Sequence, residues 1–161
     1  MKRIYRKANE LHAGNWQALR DLNPQYHVYH RVNVSATENS RKDSITQVVA
    51  LYVDIDIATP ESLKRLEDMK YPPTAIIYSG GGYHGYWMLS EPLAIDSVER
   101  RQEVERTMQG MILAYGEGAD EKAKDVTRIL RTPGFYNIKD KYFTYPLCEV
   151  VYNDALDGIR A

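Results

Sequence analysis

Along the chain the apolar positions alternate between a helical and a strand period, and the changes of period mark the elements. Residues 9–22 predict a helix stopped by Asn23-Pro24, whereas YHVYHRVNV, residues 26–34, alternates as a strand. TQVVALYVDID, residues 46–56, predicts a longer, buried strand. Pro60 suits a first helical turn and opens PESLKRLEDMK, a short amphipathic helix. TAIIYS and YHGYWML then read as two strands joined by Gly80-Gly81-Gly82, a hairpin connection whose glycines tolerate positive φ. DSVERRQEVERTMQGMILAYG sets Val98, Met108, Ile112 and Tyr115 at roughly helical spacing, and CEVVYN predicts a last strand. The polar stretch Ser35 to Ser44 reads as a loop within the domain. Hairpin strands beside isolated helices predict an α+β fold, a mainly antiparallel sheet covered by helices.

One strand breaks its own pattern. In ALYVDIDIATP, residues 50–60, two carboxylates sit inside the apolar run. Side chains alternate faces in a strand, so Asp54 and Asp56 share one face while Val53, Ile55 and Ile57 fill the other. Two like charges that close repel, and covering them strips their water, unless a cation lies between them. The pair asks for a divalent metal; a solvated strand edge or cap is the plainer alternative.

Composition narrows the setting. The chain has 161 residues, 43% of them hydrophobic, which suits one globular domain over residues 1–161. The formal net charge of -1 excludes a globally basic nucleic-acid binder, so any phosphate-facing surface is local. Lys122, Lys124, Arg128, Arg131, Lys139 and Lys141 form one candidate patch, and Lys2, Arg3, Arg6 and Lys7 another. The single cysteine, Cys148, excludes an intrachain disulfide and a cysteine-rich zinc site, which makes a cytoplasmic location the expectation. No run approaches membrane-spanning length, so no membrane partner is expected.

Two further segments carry chemistry. In SGGGYHGYW, residues 79–87, three consecutive glycines let backbone amides approach phosphate oxygens, although a plain flexible hairpin needs the same residues. His84 starts the return strand, where its side chain can point across the sheet toward the carboxylates or can be a packed core residue. In GADEKAKDVTRILRTPGFYNIK, residues 118–139, Asp120 and Asp125 precede Arg128 and Arg131, which are three apart and share a side if the segment is helical there. Guanidiniums suit bidentate phosphate binding. A solvated turn with the arginines paired to Asp120 or Asp125 is the alternative.

Together the three segments resemble the catalytic motifs of the archaeo-eukaryotic primase superfamily, the primase-polymerases. YVDID, YSGGGYH and ADEKAKDVTRILR stand in that family's order, and LRTPGFYNIK is similar to the ending seen in plasmid and phage replication primases of the RepB-prime kind. The resemblance runs from about Val49 to Lys139. It implies an RRM-like catalytic half beside a smaller N-terminal α/β half, with the site in the cleft between them. It implies template-dependent nucleotidyl transfer, as a DNA primase or polymerase in plasmid, phage or mobile-element replication, with two Mg²⁺ or Mn²⁺ ions. Asp54, Asp56 and Asp120 would be the catalytic metal ligands, Asp125 being the second candidate for the third. Ser79, Gly81, His84, Arg128, Arg131 and Lys139 would bind the nucleotide. The implied partners are a single-stranded DNA template and primer, an NTP or dNTP, and a replicative helicase or additional primase domain, since many relatives continue into one.

The lone cysteine departs from the many primases that carry a cysteine-rich zinc insertion, and the chain reads as a stand-alone core or a piece of a larger replication protein. Two rival readings remain. A rolling-circle replication endonuclease would place two histidines around one apolar residue, yet HVYH separates His27 and His30 by two. A non-catalytic RRM-like module would stack single-stranded bases on Tyr83, Tyr86 and Trp87, leaving the Asp54/Asp56 pair unexplained.

Overall fold

Residues 16–39 and 41–153 are described by the structure, a computed structural model. The helices are α1 (Trp16–Leu22), α2 (Pro60–Glu67) and α3 (Val98–Tyr115). The strands are β1 (Tyr29–Arg31), β2 (Val34–Ser35), β3 (Ile45–Ile55), β4 (Ala75–Tyr78), β5 (Tyr83–Ala94), β6 (Ile129–Arg131) and β7 (Glu149–Asn153). Five strands form one sheet in the order β2-β3-β5-β4-β7, and β1 pairs with β6 in a second, two-stranded sheet. Every pairing is antiparallel. The order β3-α2-β4-β5-α3-β7 is that of a split β-α-β fold, so the α+β expectation holds.

The predicted elements form largely for the expected reasons. α2 begins at a capping box in which Thr59 and Ser62 exchange side-chain to backbone hydrogen bonds, with Pro60 in the first turn. α3 buries Val104, Met108, Ile112 and Tyr115. Val98, expected on that stripe, is exposed in the first turn, and Val104 takes its place. Ile57, expected opposite the carboxylates, is also exposed, because β3 ends at Ile55 and the chain leaves the sheet there. The helix expected over residues 9–22 is present as α1; residues 9–15 and the basic N-terminal residues Lys2, Arg3, Arg6 and Lys7 lie outside the described part.

The strand expected over residues 26–34 is in fact two strands in different sheets. Asn33, buried at the break, explains why: its Oδ1 accepts from the Val49 amide at 3.0 Å, where the β3–β5 register shifts. An amide left over by a bulge needs such a partner. The Asn33 Nδ2 donates to the Val126 carbonyl at 3.4 Å, tying β3 to the segment that leads into β6.

Two apolar clusters meet at β3. Val48, Ala50 and Tyr52 join Tyr86, Val104, Met108 and Leu130, while Val53 and Ile55 join Leu66, Ile76, Ile112 and Tyr115. β3 is thus fixed on both faces up to Ile55, and the residues just beyond it are carried on a rigid strand end.

Candidate functional site

The three chemical segments converge at that strand end. Asp54 pairs with His84 across β3–β5, and the His84 Nε2 stands 3.5 Å from the Asp54 Oδ1. Asp56 follows the end of β3 and is exposed. Asp120 is drawn in by backbone bonds: its amide donates to the Asp54 carbonyl at 2.7 Å, and Ile55 bridges Ala119. Asp125 lies elsewhere. Its Oδ1 accepts from the Thr127 amide and hydroxyl, and its Oδ2 is 3.3 Å from the Lys42 Nζ. Burial works against the Asp125 charge, but the Thr127 hydrogen bonds and Lys42 outweigh it and hold its carboxyl below the usual range.

Arg128 ties the acids together. One of its Nη atoms is 3.1 Å from the Asp54 Oδ2 and also contacts the Asp120 Oδ2. Burial opposes the guanidinium charge, and the two carboxylates outweigh it and raise its pKa. Asp54 is nonetheless pushed up by burial, which outweighs the Arg128 bond, and Asp120 pushes the same way. Asp56 is raised by burial, then by the charges of Asp54 and Asp120. Among the described residues no three histidine, cysteine or acidic side chains stand close enough to hold an ion as they are.

A cavity of about 500 Å³ opens over these groups. Asp54, Asp56, Ser79, Gly81 and His84 line it together with Arg128, Arg131 and Lys139. Asp120 and the second candidate, Asp125, are absent from the lining, though Asp120 contacts Arg128. The wall also contains Tyr29, Lys141 and Tyr142. Tyr29 is at the site because β1 pairs with β6, which sets Tyr29 opposite Arg131. No local signal in the sequence marks that pairing.

Arg128 and Arg131 do not lie on a helical turn. Arg128 ends a turn closed by its own amide on the Asp125 carbonyl, and Arg131 is in β6. The Arg131 side chain is only 5% exposed. It sits 4.9 Å over the Tyr29 ring and donates to His27 Nδ1 at 3.3 Å, while its second Nη is buried with no hydrogen-bond partner. A buried guanidinium with an unused donor, lining a cavity, is suited to an anion.

The glycine turn does two jobs. Only Gly80 of the three uses a positive φ, at 86°. A Cβ on Gly82 would lie 1.8 Å from the Ile55 carbonyl oxygen, so Gly82 lets the turn settle directly on the end of β3. Gly81 faces the cavity, with the Tyr142 hydroxyl against it. The amides are therefore not all open to a ligand. Asn137, buried, ties the turn to the segment after β6 by donating to the Ser79 carbonyl at 2.9 Å. Asn23, also buried and just after α1, clasps Tyr136, accepting its amide at 2.6 Å and donating to its carbonyl at 3.1 Å.

Burial lowers the His84 pKa to about 3 and also lowers that of His30, whose ring stacks near Tyr86. For His30 the sign is clear. Its folded pKa lies below the ordinary 6.5, so the stability from keeping the ring neutral is complete above 6.5 and is lost as pH falls below it. The urea midpoint should fall between about pH 7 and about pH 5.5. A midpoint that rises on acidification would contradict this.

The rival readings gain little support. His27 contacts Arg131 and His30 contacts Tyr86 and Thr132, so the two histidines have separate partners. Tyr86 is 7% exposed, and Tyr83 and Trp87 are half-buried against the cluster of Leu66 and Ile76, so none of the three is an open stacking surface.

The family model for the RepB DNA-primase N-terminal domain matches residues 15–150. Among the curated proteins none matches the chain in sequence. Solved structures share the fold. The AEP domain of the cyanophage S-2L primase-polymerase aligns with a TM-score of 0.61 at 16% identity, over 87% of this chain and 73% of that one. The catalytic domain of primase RepB′ in complex with initiator DNA aligns with a TM-score of 0.60 at 23% identity, over 96% and 70%. Primase RepB′ itself aligns with a TM-score of 0.57 at 20% identity, over 96% of this chain; the chain spans 46% of that protein's length.

Proposed function

The chain belongs to the RepB DNA-primase N-terminal domain family, and on that premise we propose that it is a nucleotidyltransferase that adds nucleotides to a primer on a single-stranded DNA template. The observation that carries this reading is one cavity lined both by the acids Asp54 and Asp56 and by the cations Arg128, Arg131 and Lys139. A triphosphate would be repelled by the acids alone; Arg128 is already paired with Asp54 and Asp120, but Arg131 keeps a buried Nη without a hydrogen-bond partner, a donor free for an anion.

The donor set fits a hard divalent cation such as Mg²⁺ or Mn²⁺, which prefers carboxylate oxygen. Asp54, Asp56 and Asp120 are its proposed ligands, and the Arg128 guanidinium between two of them marks where these acids accept positive charge. Two bound cations would supply Lewis-acid polarisation of the attacking hydroxyl and neutralisation of the leaving pyrophosphate. The residues do the rest. Arg131 and Lys139 bind and orient phosphate oxygens, with Ser79 and the Gly81 backbone against the same group. His84, neutral and buried, holds Asp54 from behind and offers its ring edge to the cavity.

Incubation with a primed single-stranded template, labelled nucleotides and Mg²⁺ or Mn²⁺ tests the proposal. Templated extension that stops on chelation supports it; no extension with either metal refutes it. The two acids of the third segment separate in the same assay. Asp120→Asn should remove extension, whereas Asp125→Ala should leave it and lower stability by about 1–2 kcal/mol through the lost turn bonds. The reverse ranking would move the third ligand to Asp125.

A further inference from the structure

Beside the cavity a short segment projects from a fastened neck. Tyr136 bridges Leu147, the Asn137 amide donates to the Pro146 carbonyl at 2.8 Å, and the Cys148 amide donates to the Phe135 carbonyl at 2.9 Å. Residues 138–145 form the tip beyond this neck, which Asn137 also ties to the glycine turn. Lys139, Lys141 and Tyr142 of the tip line the cavity. Phe143 does the opposite: its relative exposure is 109%, and Tyr145 beside it is 50% exposed. A phenyl ring held fully in water forgoes the burial that such side chains ordinarily gain. The tip has two lysines and one acid, Asp140, so its charge suits an anionic partner.

Resting on the reading above, we propose that Phe143 and Tyr145 are a stacking platform for unpaired bases of the template strand at the mouth of the catalytic cavity. Aromatic faces that accept any base, with cations nearby for the backbone phosphates, are the chemistry of sequence-tolerant single-strand binding. Lys139 and Lys141 of the same tip line the cavity, so the platform and the cavity share one cationic segment.

The test is fluorescence anisotropy with a labelled oligothymidine of about twenty nucleotides, without metal or nucleotide, on the full chain. Phe143→Ala should raise Kd about fivefold or more, and adding Tyr145→Ala should raise it further, while Phe143→Trp should restore it. The melting temperature should stay at the parent value in Phe143→Ala, since the ring packs on nothing. If both alanine variants bind like the parent while the parent extends primers, the platform is wrong and the catalytic reading stands. If the parent neither binds the oligonucleotide nor extends a primer, both are wrong.

Discussion

Replacing Asp54 and Asp56 together by asparagine is expected to reduce nucleotide addition about a thousandfold or more, the loss of roughly 4 kcal/mol of transition-state stabilisation. The same change should not weaken the fold. Burial, and for Asp56 the neighbouring carboxylates, raise both pKa values above the ordinary 3.8. An acid whose folded pKa is raised binds protons more tightly in the folded state, so stability falls as pH rises through that window and the ionised forms are unfavourable at neutrality. Asparagine removes the charge and keeps an oxygen for Arg128, which also retains Asp120. Thermal melts at neutral pH should therefore show an equal or higher midpoint, beside an inactive primer-extension lane. Extension at the parent rate would sink the proposed function, and a clearly lower midpoint would sink the electrostatic account.

Gly82→Ala is expected to cost about 3 kcal/mol of stability, at the upper end of overpacking effects, and to take the activity with it. The added methyl would meet backbone, the Ile55 carbonyl oxygen at 1.8 Å, and backbone in a doubly buried strand cannot yield as a side-chain tip can. To make room the turn must lift from β3, moving Ser79 and Gly81 away from Asp54 and Asp56. Gly110→Ala supplies the contrast. That position lies in α3 with nothing within 4 Å of an added Cβ, and the substitution should stabilise by about 0.5–1 kcal/mol. Urea titrations of both variants check the pair; a tolerated Gly82→Ala would mean that the close approach of turn and strand is not needed.

What could be read from the sequence was whatever depends on neighbours in the chain. The alternation through Tyr52, Val53 and Ile55 made β3 legible, and the glycine run announced the β4–β5 turn, so the approach of His84 to Asp54 could be anticipated. The fold class followed from the same patterns. Long-range pairing was not legible. The three-residue spacing of Arg128 and Arg131 suggests a helical turn, but β1 recruits Arg131 into a strand, and nothing near either segment encodes that choice. Tyr29 was missed as a cavity residue for this reason. Ile57 was misplaced because periodicity continues past the point where β3 ends, and Val98 because it falls in the exposed first turn of α3. Which of three adjacent glycines needs its conformation, and which needs its lack of a side chain, is likewise decided by what lies opposite.

Asn23, Asn33 and Asn137 are all buried and all fasten segments that carry the cavity wall. Each joins its segments through an amide group, which neither titrates nor gathers counterions. The framework of the cleft is therefore electrically silent, while the lining that meets a ligand is densely charged. Ionic strength acts on the lining and leaves the framework's shape alone. Salt can thus tune how strongly a charged strand or nucleotide is held without loosening the geometry in which it is held.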